Sequence, residues 1–370
     1  MTLQARLKSQ GPKRILALDG GGMRGAITLG YLEEIQRQLR ERHGDPGLEL
    51  RDYFDLIGGT STGALIAAGL ASGLRVEDMI DLYRAMGPAV FGRKRRGPKK
   101  MRALFDVAGL ERELDDYFGS RTMDDPGITT GLCIVAKRAD TRSTWPLLNH
   151  PDGKYYAENR SIKLSAALRA STAAPAVFQP VAVDVGGGEL GAFIDGGVST
   201  AKNPALLLFL IATLSGYPFH WETGEDDLLM VSIGTGFWSD HQPLEKVLNN
   251  RLWNWAMEVP GLFIEDVGWL NQLLLQAISD SPTPWTIDSE MGDLRRDLIT
   301  QQPLLSYLRY DVILDAEGLA SVGVDHVDAD LDSLRDMTRA ENVDELVRIG
   351  RTAATSQVEA AHFPAVFDVT

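Results

Sequence analysis

Three short stretches of this chain carry residue types that can do acyl chemistry. Gly59-Thr60-Ser61-Thr62-Gly63 is a G-x-S-x-G pattern lying between an apolar run and a small-residue stretch. In a strand–turn–helix setting, glycines on either side of the serine let the chain turn sharply. The hydroxyl is then exposed at a helix N-terminus, where N–H groups and the dipole favour developing negative charge. Ser61 is therefore a candidate nucleophile, although five such residues also serve as a plain packing turn. The second stretch is Asp19-Gly20-Gly21-Gly22-Met23-Arg24-Gly25. Its glycines can present unhindered N–H groups to an anionic oxygen, as an oxyanion hole requires. Gly20, Gly22 and Gly25 also match the spacing of a dinucleotide-binding loop. That reading wants an acidic residue about 20 positions on at a strand end, where this chain has the turn Asp45-Pro46-Gly47.

A serine nucleophile needs a base. The six histidines, His43, His150, His220, His241, His326 and His362, stand in polar or loop-like contexts without a local signature. A Ser-His-Asp triad would pair Ser61 with a late histidine such as His220 or His326. The third stretch, Asp195-Gly196-Gly197, offers another solution: a carboxylate at a strand end, close to the serine without a third member. An aspartate near its reference pKa of about 3.9 is a weak base, so partial desolvation would have to raise it. As a third reading, the glycine loop holds an anionic ligand in a non-catalytic binding module.

The elements that would carry these stretches follow an α/β rhythm. Ile15 to Leu18 reads as a buried strand entering the glycine loop. Ala26 to Arg42 then places Ile27, Tyr31, Ile35 and Leu39 on one helical face. Tyr53 to Ile57 supplies a second apolar run, and Thr62 to Ser72 a helix after the turn. Gly131 to Ala136, Gly191 to Ile194 and Leu228 to Ile233 read as further strands, with a buried helix opened by Asn203-Pro204. Such alternation favours a mostly parallel sheet covered on both faces. Leu305 to Leu314 alternates like a half-buried strand. No fixed-period repeat or linker marks a second domain.

The 370 residues, 44% of them hydrophobic, can bury a sizeable core, which excludes disordered and fibrous classes. A formal charge of −14 argues against general nucleic-acid binding. One cysteine, Cys133, excludes an intrachain disulfide and any multi-cysteine metal site, so a reducing, cytoplasmic setting is expected. Met1 to Pro12 lacks the apolar core of a signal peptide. The longest apolar run, Ala205 to Ala212, falls short of the roughly 20 residues that span a bilayer.

Taken in order, Asp-Gly-Gly-Gly-x-Arg-Gly at 19–25, Gly-Thr-Ser-Thr-Gly at 59–63 and Asp-Gly-Gly at 195–197 resemble the patatin-like phospholipase family. Ala170-Ser171-Thr172-Ala173-Ala174-Pro175 and Ser232-Ile233-Gly234-Thr235-Gly236 are similar to it as well. The resemblance covers roughly Arg14 to Phe237. It implies a three-layer α/β/α fold with a mostly parallel central sheet and a C-terminal helical elaboration. The catalytic core would span 12–240, with 241–370 packed on it as an extension. It implies a Ser61-Asp195 dyad without a metal or cofactor, in which Gly20, Gly21 and Gly22 supply oxyanion N–H groups. Gly25 belongs to the same loop, and Arg24 fixes that loop or faces a phosphate. The activity implied is hydrolysis of fatty acyl esters of a phospholipid or lysophospholipid at a membrane surface, through an acyl-enzyme. Asp195 is followed by Gly-Gly where many relatives have Gly-Ala. Some bacterial relatives are membrane-degrading effectors switched on by cyclic nucleotides, which leaves room for a small nucleotide activator. A homo-oligomer is likewise left open.

Two segments stand apart from these motifs. Between Arg93 and Arg102 seven of ten residues are basic: Arg93, Lys94, Arg95, Arg96, Lys99, Lys100 and Arg102. They form either a solvated loop or a patch for anionic head groups or a phosphate-bearing regulator. Trp253, Trp255, Trp269 and Trp285 share a Leu-rich stretch, expected to lie in the core or a subunit contact, with peripheral membrane association as the alternative.

Overall fold

The computed structural model describes residues 2–92, 94–95, 103–238, 243–295, 297–327 and 330–369. The short apolar runs become strands of one eight-stranded sheet: β1 Lys13–Leu18, β2 Leu56–Thr60, β3 Gly131–Arg138, β4 Ser143–Leu148, β5 Val181–Asp184, β6 Leu190–Asp195, β7 Leu228–Ile233 and β8 Ser306–Tyr310. Their order is β5-β6-β3-β2-β1-β7-β8, with β4 paired to β3 outside that path. The run from β3 through β2, β1 and β7 to β8 is parallel throughout. The β3–β4, β3–β6 and β5–β6 pairs are antiparallel.

Strand period sorts the apolar side chains into two layers. On β1, Leu16 and Leu18 join a core with the helices Gly25–His43, Thr62–Ala71 and Val76–Phe91, while Ile15 and Ala17 join one with the helix Ala205–Thr213. The result is a three-layer α/β/α architecture, as expected. One detail of the sheet positions the site. β4 pairs with β3 from Cys133 to Arg138, so it fills one edge of β3 along that stretch. β2 takes the other edge up to the Thr60–Val135 pair, and β6 takes over from the Ala136–Asp195 pair onward. β3 thus outruns β2, and its overhang receives the end of β6 just beyond the turn at Ser61.

Residues after Phe237 add to the same sheet and layers. β8 extends it next to β7, and the helix Val343–Gln357 packs along Gly25–His43. That crossing depends on two glycines. A Cβ on Gly30 would strike the backbone at Gly350 and Arg351, and one on Gly350 would strike the backbone of Ile27. Cys133, the single cysteine, is buried on β3, and its dry surroundings push the thiol pKa up.

Two expectations are corrected. Tyr53 closes a short helix, Leu50–Tyr53, rather than opening a strand, because Asp52 accepts the Glu49 N–H at 3.1 Å in a capping box. β8 ends at Tyr310 and is largely buried rather than half-buried, since the helix Leu252–Ala277 covers one face; there Gln272 accepts a hydrogen bond from the Tyr307 hydroxyl at 2.9 Å. That helix reaches the core only with its C-terminal part, around Leu275. Its N-terminal part is open, with Trp253 75% and Phe263 66% exposed. Of the basic run, only Lys94 and Arg95 lie within the described residues.

Glycine-to-alanine changes inside helices ordinarily gain about 1 kcal/mol. Gly350→Ala is expected to do the opposite and lower stability by about 1–3 kcal/mol through overpacking against Ile27. Urea unfolding of the two proteins measures the difference.

Candidate active site

Ser61 follows the last residue of β2 and precedes the helix Thr62–Ala71. Its backbone sits at φ 55°, ψ −120°, a region that non-glycine residues enter only when their surroundings enforce it. Close packing enforces it here. Gly59 and Gly63 lie in contact across the turn, and Gly63 also touches the backbone of Leu18. The Ser61 N–H donates to the Ser171 hydroxyl at 2.8 Å, which in turn donates to the Val135 carbonyl at 2.6 Å. Thr60 is anchored through its hydroxyl to the Ala201 carbonyl at 2.5 Å, and the Thr62 hydroxyl meets that of Tyr83.

The β3 overhang brings Asp195 to this turn. The Ser61 hydroxyl donates to Asp195 Oδ2 at 2.6 Å, while Asp195 Oδ1 accepts the Gly197 N–H at 2.6 Å. Gly196 lies so close to the Val135 carbonyl that no side chain would fit. Asp195 is 5% exposed. Burial raises its pKa to about 6, against the opposing pull of the hydrogen bonds from Ser61 and Gly197.

The glycine loop lies against the same turn. Gly20 packs on Ser61 and Thr60, Gly21 on Thr235, and Gly25 on Thr62 and Tyr83. The Gly20 N–H is spent on the Lys202 carbonyl at 3.0 Å, so Gly20 is withdrawn as an oxyanion donor. The Gly25 N–H is turned into the Gly22–Arg24 turn. Gly21 and Gly22 N–H groups make no hydrogen bond among the described residues, and neither does that of Thr62.

Arg24 points away from Ser61. Its guanidinium is 2% exposed and donates to the carbonyls of Gly236 at 3.3 Å and Gly21 at 3.5 Å. It lies over the Trp238 ring, 4.9 Å from the centroid. Burial lowers its pKa to about 10. Behind the glycine loop Arg309 bridges two acids, donating to both Asp19 oxygens at 3.0 and 2.8 Å and to Asp311 Oδ2 at 2.7 Å.

No described histidine is hydrogen-bonded to Ser61 or Asp195. His150 meets Phe219 edge-on and accepts the Asp152 N–H at 3.1 Å, and its pKa falls to about 4 through burial. His362 pairs with the Tyr310 hydroxyl at 2.9 Å. His43 approaches Asp368 at 3.7 Å, and the carbonyl of His326 accepts from Arg348 at 2.5 Å. His220 stands at φ 51° on an exposed turn, and His241 lies outside the described residues. Two contributors escape sequence reasoning as site groups. The Ser171 hydroxyl lies in a stretch noted only for its small residues. The Thr62 N–H is signalled only by its place after the nucleophile of an elbow.

A half-buried serine on a tight turn against a buried carboxylate, beside a glycine loop on an α/β/α sheet, is the layout of a hydrolase. The family model described as patatin-like phospholipase matches residues 16–209, and the chain belongs to that family. Among characterised proteins it is similar to a cUMP-AMP-activated phospholipase of Escherichia coli, 31% identical over 62% of this chain and 67% of the relative. It is also similar to a cGAMP-activated phospholipase of Escherichia coli strain TW11681, 26% identical over 87% of this chain and 86% of that protein. Patatin-07 of Solanum tuberosum is 26% identical over 80% of this chain and 75% of its own length. No helix among the described residues is long and apolar enough to cross a membrane.

The strained φ of Ser61 makes Ser61→Gly an informative change. It is expected to be inactive yet more stable by about 1 kcal/mol, because glycine enters this backbone region freely. Thermal unfolding of the variant beside the parent reads this. Ser171→Ala strands the Ser61 N–H and is expected to cost about 1–3 kcal/mol.

Proposed function

We propose that this hydrolase releases fatty acids from phospholipids or lysophospholipids through a Ser61-Asp195 dyad and an acyl-enzyme. The observation that carries the proposal is the 2.6 Å hydrogen bond from the Ser61 hydroxyl to a buried carboxylate. Ser61 Oγ attacks the ester carbonyl carbon as its proton moves to Asp195 Oδ2. The tetrahedral oxyanion is held by the N–H groups of Gly21 and Gly22, with that of Thr62 at the helix N-terminus. Collapse breaks the bond to the alcohol, which leaves with the proton from Asp195. Asp195 then takes a proton from water, hydroxide adds to the acyl carbon, and collapse frees the fatty acid while the proton returns to Ser61.

Contact with the lipid surface is assigned to the open part of the helix Leu252–Ala277, where Leu252, Trp253, Leu262 and Phe263 are exposed together. Tryptophan favours such interfaces. The helix is tied to the site, since Asn271 donates to the Thr200 carbonyl at 2.8 Å, five residues beyond Asp195. A cyclic dinucleotide is proposed as activator. The support is that two of the relatives just described carry such activation in their names and match most of their length.

Mass-spectrometric detection of fatty acid from phospholipid vesicles, with cUMP–AMP or cGAMP added, tests this reading. Ser61→Ala and Asp195→Asn are each expected to lower release by about a thousandfold or more. His220→Ala and His326→Ala are expected to stay near wild type; their loss, with Asp195→Asn still active, would point to a Ser-His-Asp esterase. The raised pKa also fixes a sign. Asp195 works ionised, so activity should fall on acidification through about pH 6. Its folded pKa lies above the unfolded value, so the ionised form costs up to about 3 kcal/mol at neutral pH, and that cost fades below pH 4. Asp195→Asn should therefore be inactive at pH 7 but no less stable.

A further inference from the structure

On the far side of the glycine loop from Ser61 lies a cavity of about 140 Å³. Its polar wall holds Arg24, Lys202 and the Asp19–Arg309–Asp311 cluster, and its apolar wall holds Phe237, Trp238, Trp269 and Trp285. The charges are not balanced pair by pair. Arg309 is fully engaged by Asp19 and Asp311. Arg24 is buried, yet forms no ion pair among the described residues; its acceptors are two carbonyls, and Asp311 and Asp336 act on it only from a distance. The Lys202 ammonium likewise makes no side-chain hydrogen bond among the described residues, and Asp19, Asp311 and Glu265 act on it only from a distance. A buried guanidinium without a carboxylate is expensive, and buried charges are normally paired. The aromatic wall is a packed cluster, in which Phe237 meets Trp269 and Trp285 edge-on at 5.9 and 5.1 Å, and it offers apolar surface to a ligand ring.

We propose that this cavity is where the activating nucleotide binds, with a phosphate between Arg24 and Lys202 and a base against the tryptophan wall. The inference rests on the nucleotide activation proposed above and adds its location and its route to the active site. Three hydrogen bonds on the glycine loop come from residues lining the cavity. The backbone carbonyl of Lys202 accepts the Gly20 N–H at 3.0 Å, the Thr235 hydroxyl donates to the Gly20 carbonyl at 3.3 Å, and Arg24 donates to the Gly21 carbonyl at 3.5 Å. A phosphate that draws on the Arg24 guanidinium competes with its bond to the Gly21 carbonyl, and one that pulls on the Lys202 side chain shifts the residue whose backbone carbonyl holds Gly20; both reset the N–H groups of Gly21 and Gly22 beside Ser61.

The test is direct binding to the full chain, by calorimetry and tryptophan fluorescence, with cUMP–AMP and cGAMP as probes. Wild type and Ser61→Ala are expected to bind one of the two with quenching. Lys202→Met and Trp269→Ala, checked for unchanged unfolding temperature, should each weaken binding about tenfold or more, and Lys202→Arg should recover most of it. Unchanged affinity in Lys202→Met and Trp269→Ala would overturn the location and leave nucleotide activation standing. If neither nucleotide binds wild type, the location falls, and vesicle hydrolysis without nucleotide would show that the activation reading falls with it. If short-chain phosphatidylcholine binds with the Lys202 dependence while the nucleotides do not, the phosphate comes from a lipid headgroup and the nucleotide assignment is overturned.

Discussion

A carboxylate kept out of water next to a serine hydroxyl is the constraint around which this structure is arranged. An aspartate in bulk solvent is too weak a base for the task, and one fully buried without partners would stay protonated. Asp195 lies between these limits because burial is opposed by only two hydrogen bonds, from Ser61 and Gly197. Maintaining that balance takes a sheet edge of the right length. β3 runs past β2 and leaves a slot that β6 enters in the opposite direction, so the end of one strand meets the turn of another at hydrogen-bond distance. Gly196 permits the approach, and Ser171 holds the turn from below.

The motifs that set this geometry are legible in the sequence because each makes a local demand on residue type. A turn as tight as Gly59 to Gly63, or a backbone passing as close as Gly21 to Thr235, admits little but glycine. β1 and β7 are legible because parallel strands covered on both faces are mostly apolar. β4 and β5 are not. β4 carries Pro146 in a strand paired, among the described residues, on one side only, a position where proline is tolerated but dilutes the pattern, and β5 is four residues long.

What sequence reasoning misses at the site is set by partners far along the chain. Nothing near Gly20 signals that its N–H is taken by the carbonyl of Lys202, or that Ser171 reaches the backbone of Ser61. The Trp- and Leu-rich helix shows a different limit. Its composition suits a core along its whole length, yet only the last turns, around Leu275, find a sheet to cover. The glycine loop consequently has two unlike neighbours, a serine paired with a buried carboxylate in front and a wall of charged and aromatic groups behind.

The single thiol has a practical consequence. Cys133 is sealed inside β3 with its ionisation suppressed, and reagents that attack thiolates will not find it while the protein is folded. The chain is therefore a ready background for site-directed labelling. One cysteine introduced on the open helix near Leu252, or beside the tryptophan wall, could carry a spin label or fluorophore without first removing a native residue. Movement of that helix and of the glycine loop then becomes measurable as distances in solution.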